Sequence, residues 1–258
     1  METIKIDVDA RGVAQLVLAR PEKHNAMSAQ MIAELTQAAA QLGADPAVRV
    51  VVLSGTGKSF CAGGDLGWMQ DQMRADATTR GIEATKLAMM LKALNEMPKP
   101  LIGHVQGNAF GGGVGMACVC DVTIGVDSAK FGLTETKLGL IPATIGPYVI
   151  ARLGEAMSRR VFMSARIFNA TEAVTLGVLA KAVPAEMLGD AIEAEVKPYL
   201  SVAPGAVAEA KALTRRLGPV VDEATIKETI DGLVTRWESD EAKEGIAAFF
   251  EKRPASWA

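Results

Sequence analysis

The chain has 258 residues, 49% hydrophobic and 22% charged, with a formal net charge of −3, enough for one large domain around a sizeable core. Slight acidity argues against a dedicated nucleic-acid partner, and no stretch approaches membrane-spanning length. Cys61, Cys118 and Cys120 match neither a disulfide framework nor a metal-binding spacing; as small buried hydrophobes, in a chain whose N-terminus lacks a basic region before an apolar stretch, they point to the cytoplasm.

Ile4, Ile6 and Val8 alternate with polar residues, and Ala14, Leu16 and Leu18 continue after Arg11-Gly12, which predicts an N-terminal hairpin. Ser28 caps a predicted helix with Met31, Ile32, Leu35, Ala39 and Leu42 on one face and Gly43 as its stop. Val50–Leu53 reads as a short buried strand followed by a Gly-rich loop from Gly55 to Gly64. Residues 66–97 read as largely helical, ended by Pro98-Lys99-Pro100. Leu101–Val105 is a second buried strand, and Gly107–Gly113 a second Gly-rich loop. A helix over 112–119, a strand over 121–126 and a loop from Phe131 to Pro142 come next. This recurring order of strand, glycine loop and helix predicts an α/β fold of stacked, similar turns. Beyond about 184 the pattern is helical, with helices near 203–217, 222–238 and 240–252. The expected division is a core over 1–200 and a C-terminal helical region over 201–258, packed on the core or on a neighbouring subunit.

Gly111-Gly112-Gly113-Val114-Gly115 opens one of these helices. A helix start leaves its first N–H groups unpaired and partly positive, and bare glycine backbone lets them approach an oxygen that becomes negative. Ser59–Leu66 carries a second glycine pair, Gly63-Gly64. Gly64 and Gly112 can each aim an N–H at one shared oxygen; close packing of helix on strand demands the same glycines. Glu135, in the apolar stretch Phe131–Pro142, is a candidate acid/base whose burial would favour its neutral form; pairing with Lys137 at the surface is the plainer alternative. The two histidines offer little: His104 reads as a hydrogen-bonded core residue within a strand, and His24 as a loop residue. No GxSxG, P-loop or metal-ligand spacing occurs.

Arg20–Met27, Ser59–Leu66, Pro98–Ala117, Thr171–Val183 and Glu244–Arg253, in that order, resemble the crotonase (enoyl-CoA hydratase/isomerase) superfamily nearly end to end. The resemblance implies a spiral of stacked ββα units with a helical C-terminal region, assembled as a homotrimer or dimer of trimers. It implies an acyl-CoA thioester as substrate and no metal or redox cofactor. Gly64 and Gly112 fall on the family's oxyanion donors, and Glu135 on its second catalytic glutamate. Lys23, Ala62, Asp65 and Leu66 fall where the family lines its CoA site, largely through backbone; Phe249 and Lys252 match residues that reach a neighbouring subunit's CoA.

The first catalytic glutamate of the family's hydratases falls at Gly115, and Ala143 stands where its hydrolases carry an aspartate. Leu140–Val149 is similar to a bacterial subgroup of glutaconyl-type enoyl-CoA hydratases. The expected activity is hydration of a short, branched or carboxylated 2-enoyl-CoA with Glu135 as single acid/base. The alternatives are an isomerase shuttling a proton through Glu135, or a CoA-thioester binding protein without turnover. Asp71, Asp76 and Glu83 are candidates to replace the missing carboxylate.

Overall fold

The computed structural model describes residues 1–258. The predicted hairpin forms as β1 (Ile4–Val8) and β2 (Val13–Leu18), antiparallel with Ile4 opposite Leu18. Helix α1 (Ala29–Ala44) starts where expected, Ser28 accepting from the Met31 N–H. It runs one residue past Gly43, which packs against Pro98 rather than ending the helix. Glu34 on its buried face ties down the chain start, accepting from the backbone N–H of Glu2 and Thr3 and from the Thr3 hydroxyl. Burial opposes ionisation of Glu34, but the hydrogen bonds from Thr3, Gln30 and the backbone outweigh it and hold its pKa at about 2.

A carboxylate held below its ordinary value stabilises the fold above that value and stops doing so as pH falls through the lowered one. We therefore expect Glu34→Gln to cost on the order of 3 kcal/mol at neutral pH. Urea midpoints measured from pH 7 down to pH 2 should converge for variant and parent. Equal midpoints at pH 7 would refute this role.

The next strand, β3 (Val50–Gly55), is buried along nearly its whole length, as its continuous apolar run demands. It is followed by β4 (Ser59–Cys61) and two helices, α2 (Leu66–Arg74) and α3 (Ala77–Glu96). The single helical segment expected over 66–97 is thus broken at Ala75-Asp76. Asp65 caps α2 and Asp76 caps α3, each accepting from first-turn N–H groups. The pattern repeats with β5 (Leu101–Val105), β6 (Asn108–Phe110) and α4 (Gly112–Val119), then with β7 (Val122–Val126), β8 (Lys130–Gly132) and α5 (Gly146–Phe162), kinked at Gly154. After these come β9 (Ile167–Asn169), α6 (Ala170–Leu176), β10 (Lys181–Val183), α7 (Leu188–Val196), α8 (Pro204–Leu217), α9 (Glu223–Trp237) and α10 (Asp240–Glu251).

From β3 to β8, successive strands alternate between two sheets. One sheet has the order β1-β2-β3-β5-β7-β10, the other β4-β6-β8-β9. All neighbours are parallel except β1 with β2 and β8 with β9. This is the expected α/β spiral of ββα units. The glycine loops read from the sequence contain the three-residue strands β4 and β6. Such strands are too short to show a period of their own.

All three thiols are free and buried, and burial pushes each up to about 12. His104 departs from expectation: it lies in β5 but is only half-buried, no hydrogen bond reaches its ring, and burial lowers its pKa. The main apolar core runs from Ile4 to Val196. Helices α9 and α10 contribute to two smaller clusters, one with α3 and one around Leu140, Trp237, Ala242 and Ile246. Lys211 of α8 anchors this region, its ammonium 2.7 Å from Asp121 and 2.9 Å from the Lys99 carbonyl. No helix is long and apolar enough to cross a membrane.

Candidate active site

Three loops converge, following β2, β4 and β6 in turn. The first, Arg20–Met27, is shaped by Asn25, which is fully buried in the left-handed region. Its side chain accepts from the Arg20 N–H and donates to the carbonyls of Thr56 and Ser59. Asparagine tolerates that backbone region better than most residues. The second loop, Ser59–Leu66, is laced to the first. Ala62 N–H donates to the His24 carbonyl, Met27 N–H to the Gly63 carbonyl, and Asp65 N–H to the Met27 carbonyl. Asp65 also pairs with Arg20 at 3.0 Å while capping α2. Lys23, Ala62, Asp65 and Leu66 are therefore brought together, with the side chain of Asp65 committed within the chain and Leu66 exposed.

The third loop meets the second at the glycines. Gly111 takes φ 49°, ψ −117°, a conformation open to glycine, and its bare Cα side faces Gly63 and Glu135. Gly112 is the first residue of α4, so its N–H precedes the intrahelical ladder. The Gly64 N–H donates to none of the chain's acceptors. Two unpaired N–H groups thus stand on two touching loops at a helix start. Beneath Gly112 lies the buried thioether of Met27, so close that a Cβ on Gly112 would force the Met27 methyl aside. Gly113 serves tight packing instead: a Cβ there would come within 2.5 Å of the Cys61 carbonyl oxygen.

Glu135 begins a short helical turn, Glu135–Leu138, closed by Gly139 in the left-handed region. Its Oε1 lies 3.1 Å from where a Cβ on Gly111 would sit. Its Oε2 is shut off from solvent with no hydrogen-bond partner. Burial raises its pKa to about 7, opposed weakly by a hydrogen bond from its own backbone. The pairing of Glu135 with Lys137 does not form, since Lys137 is exposed and makes no ion pair. A carboxyl with its pKa raised toward neutrality, beside unpaired N–H groups, can move a proton next to an oxygen that those N–H groups stabilise.

No second carboxylate joins it. Asp76 is committed to capping α3, Glu83 pairs with Lys86 at 2.6 Å, and Asp71 is exposed. No ionised neighbour contributes to the shift at Glu135. Gly115, one turn beyond Gly111 on the same face of α4, leaves no room for one. A Cβ there would meet Ile145 Cγ2 at 2.5 Å and Ile145 Cβ at 3.0 Å, with Leu91 just behind. Ile145 and Leu91 are both buried. We expect Gly115→Glu alone to destabilise the protein by roughly 3 kcal/mol or more, because it adds both overpacking and an unpaired charge. Adding Ile145→Gly should recover much of that loss in thermal melting; equal melting of single and double variants would refute the blockade.

Phe249 and Lys252 stand behind the Glu135 turn, whose residues Thr136, Lys137 and Leu138 line the same cavity as Phe249. Both are exposed at the end of α10, Lys252 closing that helix in the left-handed region. Phe249 lines a cavity of about 500 Å³ with Met163, Ala165, Arg253 and Trp257. Sequence reasoning missed Met27, Ile145 and Trp68, whose ring packs on Gly64 and whose indole N–H is buried without a partner. None of the three belongs to a residue class that signals chemistry.

The chain is similar to known proteins along nearly its whole length. Residues 9–258 match the family model described as enoyl-CoA hydratase/isomerase. A crotonyl-CoA hydratase of Syntrophomonas wolfei is 33% identical over 248 residues, covering 95% of this chain and 94% of that protein. Among solved structures, an enoyl-CoA hydratase from Shewanella pealeana superposes with TM-score 0.81 at 36% identity, covering 99% of this chain and 96% of that one. Another, an enoyl-CoA hydratase from Mycobacterium avium, reaches TM-score 0.87 at 29% identity over the whole of both chains.

Proposed function

The chain belongs to the enoyl-CoA hydratase/isomerase family, and on that premise we propose that it adds water across the 2,3 double bond of a short, branched or carboxylated 2-enoyl-CoA. The observation that carries the proposal is Glu135, whose buried Oε2 has no partner and whose carboxyl lies against Gly111, between the loops that carry two unpaired N–H groups. The N–H groups of Gly64 and Gly112 polarise the thioester carbonyl. Glu135 takes a proton from water, the water oxygen bonds to C3, and the electron pair of the double bond moves into an enolate held by the two donors. Glu135 then returns the proton to C2, so one carboxyl serves as base and as acid. The thioester stabilises the carbanion, so this scheme calls for no metal or redox cofactor.

Lys23, Ala62 and Leu66, with the backbone of Asp65, form the proposed CoA contact. Phe249 and Lys252 point to a neighbouring subunit's CoA in a homotrimer or dimer of trimers acting in the cytoplasm. Gly115 favours a second reading, an isomerase that uses the lone Glu135 to shuttle a proton between carbons. A panel of 2-enoyl and 3-enoyl CoA esters, followed by mass spectrometry, decides between the two. Gain of one water by a 2-enoyl ester supports hydration; double-bond migration at constant mass supports the isomerase. Binding without turnover of any ester would overturn both and leave a thioester-binding protein.

A further inference from the structure

The helical turn that carries Glu135 is gripped from behind by the C-terminal helices. The Glu135 carbonyl accepts from the N–H groups of Gly139 and Leu140, so the position of Gly139 fixes the turn. The Gly139 carbonyl in turn accepts from Nε of Arg236, at the end of α9, at 2.9 Å. Arg236 also pairs through Nη2 with Glu241 of α10, which orients its guanidinium. The turn and α10 meet backbone to backbone. A Cβ on Gly139 would lie 2.6 Å from the Glu241 carbonyl, and one on Gly245 would lie 2.6 Å from the carbonyl carbon of Leu138. Leu140, Trp237, Ala242 and Ile246 form an apolar cluster around this junction.

We propose that Arg236 is a positioning residue for Glu135, holding the Glu135–Gly139 turn so that the carboxyl stays pressed against Gly111 and away from water. The inference rests on reading Glu135 as the acid/base. No other side chain holds the turn by so short a hydrogen bond: Thr134 makes no side-chain cap, and the Thr136 hydroxyl bond to Met163 is long, at 3.5 Å. The electrostatic surroundings are simple. Glu135 lies against Gly111, which carries no charge, and no charged group contributes to its shift; Lys137 on its own turn is exposed. Arg236 and Glu241 stand on the far side of the turn and compensate each other.

The test compares Arg236→Ala and Arg236→Lys with the parent, using crotonyl-CoA as probe substrate. Displacing a reacting group by a fraction of an ångström to about 1 Å costs roughly tenfold to a hundredfold in rate. Arg236→Ala should lower kcat by about that factor with KM changed less than about threefold, and Arg236→Lys should regain part of it. The midpoint of the pH–rate profile should fall in Arg236→Ala, because a loosened turn admits water to the carboxyl. Gly245→Ala, which pushes on Leu138 from the other helix, should move the midpoint the same way. A kcat that falls without any movement of the midpoint marks a merely structural residue and overturns the proposal, as does an unchanged kcat. Glu135→Gln in the same assay separates the two levels: full activity there sinks the acid/base reading itself, whereas inactivity there with a parent-like Arg236→Ala sinks the positioning role alone.

Discussion

Glu135→Gln is expected to lower the turnover of the hydrated ester by roughly a hundredfold to ten-thousandfold, while KM changes little. The substitution keeps the shape and removes the proton acceptor. The carboxyl lies near water-excluded backbone, and no other ionisable group stands in reach to take over. In the parent, kcat/KM for hydration should rise through a single ionisation near pH 7 and then level, because the base must be ionised to accept a proton. That single limb should vanish in the variant. Stability moves the other way. A carboxyl whose folded pKa lies above its ordinary value costs the fold stability as pH rises from the ordinary value to the folded one, so the neutral amide should stabilise the protein at pH 8 to 9, by up to about 3 kcal/mol. An inactive variant that melts higher than the parent excludes unfolding as the cause. A variant with full activity would remove Glu135 from the chemistry.

The second large effect concerns a backbone donor, which side-chain substitution leaves in place. Gly112→Pro deletes the N–H and is expected to lower kcat by roughly a hundredfold to a thousandfold. The fold tolerates proline there on backbone grounds, since the first position of a helix has no intrahelical donor to lose. Gly111 before it sits at φ 49°, ψ −117°, the mirror image of an extended conformation that a residue preceding proline adopts. The Cβ of the new ring would push on the Met27 methyl, so the comparison is Gly112→Ala, which sets the same Cβ against Met27 but keeps the N–H. Kinetics of both variants on crotonyl-CoA isolate the donor. Equal losses in the two would assign the effect to Met27 and take Gly112 out of the oxyanion hole.

Much of the scaffold was legible. The apolar runs of β3 and β5 and the periodic face of α1 carry strong signals, and the C-terminal helices lie within a residue or two of the predicted spans. The strands β4, β6, β8 and β9 were not, because three residues carry no period and their pairing partners come from distant parts of the chain. In the site, the glycine run and Glu135 were readable because bare backbone and a carboxyl amid apolar residues have chemical meaning on their own. Which glycine serves which purpose was not: Gly113 is set by the Cys61 carbonyl and Gly115 by Ile145, contacts that exist only after folding. The grip of Arg236 on Gly139 spans 97 positions and leaves no local trace.

Gly115 and Ile145 are interlocked, and that has an evolutionary consequence. Restoring a carboxylate at 115 first would drive it into Ile145. Shrinking Ile145 first would open a cavity beside Leu91 at a cost of about 1 to 4 kcal/mol, with no gain in return. Each single step is unfavourable, and only the pair is passable. The position therefore works as an epistatic ratchet: a chain that holds this glycine and isoleucine reaches a carboxylate at 115 by neither substitution alone.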